Sequence, residues 1–119
     1  MQKLNFLYSM KAWESAMHNK DRSKLDEILS KDFIWENLAM NDKNTKEETI
    51  QFTLSIRDKI PNFKISDYKT IFESDEILVG THSVHQDDRE ETLVLCIANI
   101  TEDGKLLSRW RHLRAEYPK

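Results

Sequence analysis

The sequence is short of the residues that punctuate or staple a fold. Its 119 residues include 2 glycines, 2 prolines and 1 cysteine. A lone cysteine excludes an internal disulfide. Cys96 stands inside Leu93-Val94-Leu95-Cys96-Ile97-Ala98, where it reads as a small buried hydrophobe. With only Gly80 and Gly104 available, there is no glycine-rich phosphate loop. No apolar run approaches the roughly 20 residues that span a bilayer. The opening Met1-Gln2-Lys3-Leu4-Asn5-Phe6 lacks the long apolar segment of a secretory signal, so the expected address is the cytoplasm, away from membranes. A basic surplus is missing too, since the formal net charge is -3. The one basic cluster, Arg109, Arg111, His112 and Arg114, falls on a strand. Alternate strand residues face opposite ways, which splits the cluster and argues against nucleic acid. The 4 histidines show no helical i, i+4 pair, and His82-x-x-His85 does not converge easily from one strand. Neither a metal nor another cofactor is expected.

What is present suits one soluble domain over residues 1–119, with 39% hydrophobic and 33% charged residues. Leu4, Leu7, Tyr8, Met10, Trp13, Ala16 and Met17 recur at helical spacing over residues 4–18. Asp21 is placed to cap a second, short helix ending near Ser30. Residues 33–37 read as a short strand and residues 41–44 as a loop. Thr45-Lys46-Glu47-Glu48 has capping-box spacing and opens a third helix. Ile50, Leu54 and either Ile56 or Phe52 face inward from it, and it ends near Lys59, before Pro61.

The hydrophobic period then changes to that of strands, over residues 63–72, 77–86, 91–100 and 105–116. The connections are 73–76, Asp87-Asp88-Arg89, and Thr101-Glu102-Asp103-Gly104, whose glycine accepts a positive φ. Three short connections in a row predict an antiparallel meander. The third of these strands is apolar on both sides. Leu93, Leu95 and Ile97 point one way, and Val94, Cys96, Ala98 and Ile100 the other. Helices cover one face. The second is covered by another copy of the chain or by a strongly curled sheet closing on itself. A curled sheet capped by helices leaves a cone whose mouth is a natural pocket.

This order of elements resembles the SnoaL-like group of the NTF2-like superfamily, which includes ketosteroid isomerases and polyketide cyclases. The resemblance runs through Trp13-Glu14-Ser15-Ala16, Asn19-Lys20-Asp21, Leu25-Asp26-Glu27-Ile28-Leu29, Asp32-Phe33-Ile34-Trp35-Glu36, Lys46-Glu47-Glu48 and Gly104-Lys105-Leu106. It implies a cone-shaped α+β barrel, N-terminal helices on a curved antiparallel sheet, a ligand pocket between them, and a homodimer. It also implies what is missing. The isomerases' proton-moving aspartate is matched by Asn37, an amide with no basic oxygen. Their oxyanion-hole tyrosine is matched by Trp13. Their protonated acid falls within residues 94–98, which hold no carboxylate. A fold alone licenses no activity.

The candidate catalytic residues are His82 and His112 as acid or base, with Asn37 and Tyr68 as hydrogen-bond donors. The bland alternative for each histidine is a satisfied, partly buried ring, and for Tyr68 simple packing. Trp13, Trp35, Trp110, Met17 and Cys96 are candidate pocket walls, or ordinary core. Parity groups Trp110 with His112 and Arg114 but does not say whether that side is the hollow one. Arg109 and Arg111 share the other side, and Glu36 is expected in solvent or paired with an arginine. The expectation is a small-molecule pocket protein, an isomerase, cyclase or hydrolase of a small apolar oxygen-bearing substrate. The alternative is a non-catalytic ligand-binding or dimerisation domain.

Overall fold

The computed structural model describes residues 4–86 and 90–116. The turn expected at Asp87-Asp88-Arg89 lies outside the described residues, as do residues 1–3 and 117–119. Helix α1 (Phe6–Asn19) starts at Asn5, whose side chain accepts the Tyr8 N–H, and stops where Lys20 turns left-handed at φ 54°. Helix α2 (Ser23–Ile28) is shorter than expected. Asp21 does not cap it: Arg22 holds the N-cap position, and Asp21 instead accepts from the Ser23 N–H and hydroxyl at 3.0 and 2.7 Å. The chain then extends at Leu29 to begin β1 (Leu29–Asn37). The expected loop at 41–44 contributes to a strand, β2 (Asp42–Thr45), paired antiparallel to β1.

Helix α3 (Lys46–Lys59) carries both halves of the predicted capping box at Thr45 and Glu48. Ile50 is buried and Ile56 packs on the core, while Phe52 is exposed. Strands β3 (Lys64–Glu73), β4 (Ile77–His85), β5 (Thr92–Ile100) and β6 (Leu107–Glu116) form the predicted meander. Gly104 takes φ 76° in the turn before β6.

The sheet has six strands in the order β2-β1-β6-β5-β4-β3. One pairing departs from the antiparallel expectation: β1 runs parallel to β6, with Trp35 opposite Trp110 and Asn37 opposite His112. No local turn signals this pair, because residues 38–106 lie between its strands. The helices roof one face and make the predicted α+β cone. No helix among the described residues is long and apolar enough to cross a membrane.

Two local features shape the packing between helices and sheet. Phe6 of α1 lies directly on Gly80 of β4: a Cβ built there would stand 2.3 Å from the Phe6 ring. That ring also stacks on Trp110, with centroids 6.1 Å apart. In β3 the register slips between Ser66 and Lys69, so that Asp67 and Tyr68 together oppose His82. Asp67 takes φ 56°, a left-handed conformation that Asp tolerates better than most residues. This bulge changes the inward parity of β3. Phe63 and Ile65 are buried before it, and Tyr68 turns inward after it.

Candidate functional site

Register settles which side Trp110 and His112 occupy. They pair with Ala98 and Cys96, which are buried under the helices. Trp110, His112 and Arg114 therefore face the hollow. Arg109 and Arg111 share the opposite, outer side, which parity alone had left open. Arg109 pairs with Glu36 through its Nε and a terminal nitrogen, and Arg111 donates to Asn99 Oδ1 at 3.2 Å. Glu36 accordingly takes the predicted arginine pairing and stays out of the hollow.

The three tryptophans pack in and around the hollow. Trp13 meets Trp110 edge-on at 5.4 Å and Phe33 at 6.5 Å. Trp35 lies 4.9 Å from the His112 ring. Met17 and Trp35 are partly buried against the core. Cys96 lies on the side of β5 that the helices cover. It is fully enclosed, and burial pushes its thiol up to about 12, opposed by a hydrogen bond from Trp110. A thiol so placed is no nucleophile at neutral pH. The Trp13 Nε1–H is buried with no hydrogen-bond partner among the described residues. A buried donor of this kind is costly to leave unmade.

His82 and His112 lie on the same hollow side and feel each other electrostatically. Burial lowers the pKa of His82, the Ser83 carbonyl opposes this, and Arg114 adds to the lowering. Burial, then the His82 ring and the Arg114 guanidinium, bring His112 down to about 4. Both rings are neutral at pH 7. His82 Nδ1 lies 3.2 Å from the Ser83 carbonyl oxygen. A carbonyl only accepts, so Nδ1 carries the proton and Nε2 keeps a lone pair, the tautomer a general base needs.

Tyr68 is brought beside His82 by the bulge, with ring centroids 6.5 Å apart. Its hydroxyl donates to Glu14 Oε2 at 2.6 Å. That hydrogen bond lowers the Glu14 pKa, while burial and then the carboxylate raise that of the phenol. Tyr68 is thus fixed as a protonated donor already engaged with Glu14. Asn37 sits in register with His112. Its Oδ1, however, accepts the N–H groups of Ala39 and Met40 at 3.0 and 3.2 Å, so its acceptor holds the β1–β2 turn.

Two residues join the site that sequence reasoning passed over. Glu14 stands one helical step before His18 on α1, an i, i+4 polar stripe that was open to inspection. Arg114 shares parity with His112. It donates to Thr92 Oγ1 at 2.8 Å and Gln86 Oε1 at 2.6 Å, which holds its charge near His82.

No protein-family profile matches the chain, and no curated protein matches it. Solved structures do. A protein of Kribbella flavida DSM 17836 named for ketosteroid isomerase superposes with a TM-score of 0.73 at 11% identity, covering 96% of this chain and 79% of that one. A protein of Shewanella denitrificans OS-217 named for SnoaL-like polyketide cyclase gives 0.65 at 9% identity, covering 92% and 90%. An NTF-2 like protein of unknown function from Burkholderia xenovorans LB400 gives 0.70 at 11% identity, covering 96% and 85%. On these superpositions, this chain has the fold of the NTF2-like, ketosteroid isomerase-like and SnoaL-like structures it resembles.

Proposed function

We propose that the chain binds a small, flat, largely apolar molecule bearing one or two oxygens, and acts on it as an isomerase, cyclase or hydrolase. The observation that carries this reading is the company kept by the hollow face. Two neutral imidazoles and an unpartnered indole N–H stand among aromatic walls. In this reading the Trp13 N–H donates to a ligand oxygen, and Trp35 and Trp110 hold the ring plane. His82 Nε2 accepts a proton from the substrate, and His112, kept neutral, completes the wall beside Trp35. Tyr68 acts through its Glu14 bond to fix the edge near His82. The names of the structural neighbours support the reaction class without choosing within it. Two copies of the chain pair through the outer sheet face. The reading keeps the work in the cytoplasm, where a lone thiol such as Cys96 stays reduced.

Trp13→Phe tests the donor, since it keeps a flat apolar ring and removes only the N–H. With 2-naphthol as probe, tryptophan fluorescence should report binding, and the variant should bind about tenfold more weakly, the cost of one neutral hydrogen bond. Equal affinity removes Trp13 from the site. No binding by the unaltered protein argues against a ligand of this shape.

The non-catalytic alternative has one observation in its favour. Tyr68 and the Asn37 acceptor are already occupied within the protein. Isolating the protein with a tightly held molecule that it leaves chemically unchanged over hours would favour binding over turnover.

A further inference from the structure

Outside the hollow, at the end of the sheet where β3, β4 and β5 meet, three metal-ligating side chains converge. We propose that Asp67, His85 and Glu91 form a surface site for a divalent transition-metal cation, with Zn2+ the preferred occupant.

The geometry is that of a loosened first coordination sphere. His85 Nε2 lies 3.1 Å from Glu91 Oε1 and 3.9 Å from Asp67 Oδ2. One donor atom from each residue lies within 4.8 Å of the others. Zinc bonds of about 2.0–2.2 Å in a tetrahedron put neighbouring ligand atoms roughly 3.3–3.5 Å apart. The observed separations straddle that value, so small rotations of these partly exposed side chains close the site. Ser66 Oγ donates to Asp67 Oδ2 at 3.1 Å and lies 2.7 Å from His85 Nε2, so the cation takes the place of this hydroxyl at the ring nitrogen.

The ligand set argues for the class of cation. One imidazole nitrogen with two carboxylates suits zinc or its transition-metal neighbours. Calcium asks for six or more oxygens, and magnesium keeps most of its waters. Two carboxylates also balance a dication. The ligands come from three separate stretches of chain, which is why no sequence spacing announced them. The bulge at Asp67 directs its carboxylate to the outer face while Tyr68 goes inward. His85 faces outward too, opposite to His82. The competing arrangement is the direct contact of the ring with Ser66 and Glu91, which needs no metal.

The experiment uses the full chain freed of metal with a chelator, titrated calorimetrically at pH 7.5 with ZnCl2 and, in parallel, MgCl2. The expected result is one Zn2+ per chain and a midpoint of thermal unfolding that rises with Zn2+ concentration, because a cation bound only by the folded state stabilises it. Mg2+ should give neither. His85→Ala should weaken Zn2+ binding at least tenfold and abolish the thermal shift. Should that variant not fold, the Asp67→Asn, Glu91→Gln pair, which keeps shape and the imidazole, should show the same tenfold loss. Undiminished Zn2+ affinity in the variant that folds would overturn the proposal. So would Zn2+ binding that leaves the His85 ring resonances unmoved while those of His18, His82 or His112 shift.

Discussion

At Gly80 the missing side chain is what lets helix and sheet touch. Its φ is not in the positive range, so alanine meets no backbone objection there, only the fully buried Phe6 ring 2.3 Å away. Gly80→Ala should therefore cost about 1–3 kcal/mol, as overpacked cores do, read as a lowered urea midpoint with an unchanged slope. A second single-residue consequence concerns acid. In the unfolded chain His112 takes a proton near pH 6.5, and in the fold only near 4. Between those values the unfolded state binds more protons. Stability is then full above about 6.5 and falls as pH drops toward 4, by on the order of 3 kcal/mol. The lowered His82 acts in the same direction. His112→Gln should flatten the dependence of the urea midpoint on pH across this window. An unaltered slope would mean the ring titrates normally. The identity of these histidines was legible in the sequence. Their shared face was not, because parity gives two sides and only pairing with Cys96 and Val94 says which is roofed.

Elements that carry their own local chemistry were the legible ones. The capping box at Thr45 is an example. Its two hydrogen bonds, Glu48 N–H to Thr45 Oγ1 at 3.3 Å and Thr45 N–H to Glu48 Oε1 at 3.0 Å, can be read from four letters. Thr45→Ala should cost about 1 kcal/mol, and Thr45→Ser almost nothing, in thermal unfolding. Elements fixed by distant partners were not legible. Strand β2 is polar and short, and it exists because β1 offers it an edge. The bulge at Asp67 and Tyr68 leaves no mark in the hydrophobic pattern of β3. It nevertheless decides that one of these neighbours joins His82 and the other His85.

At the scale of the whole molecule, the outer face of the sheet matters most. The inward residues of β5 are fully buried, while Leu93, Leu95 and Ile97 on its other side are only half covered, and Leu113 of β6, opposite Leu95, is exposed. This partly exposed apolar side motivates the proposed pairing of two chains. Ile97→Lys, set at the middle of that face, should convert a dimer to a monomer in sedimentation velocity while leaving the far-ultraviolet circular dichroism unchanged. A wild-type protein already sedimenting as a monomer would sink the pairing.

The parallel ladder between β1 and β6 joins the β1–β2 pair to the meander. Trp35 and Trp110, partners across it, belong to segments that meet only after everything between them has been laid down. A chain that has paired only β3 to β6 still leaves one side of β6 without its β1 partner. Long-range closure of this kind is slow compared with hairpin formation. Pairing of β1 with β6 is therefore expected to follow the local hairpins as the chain folds.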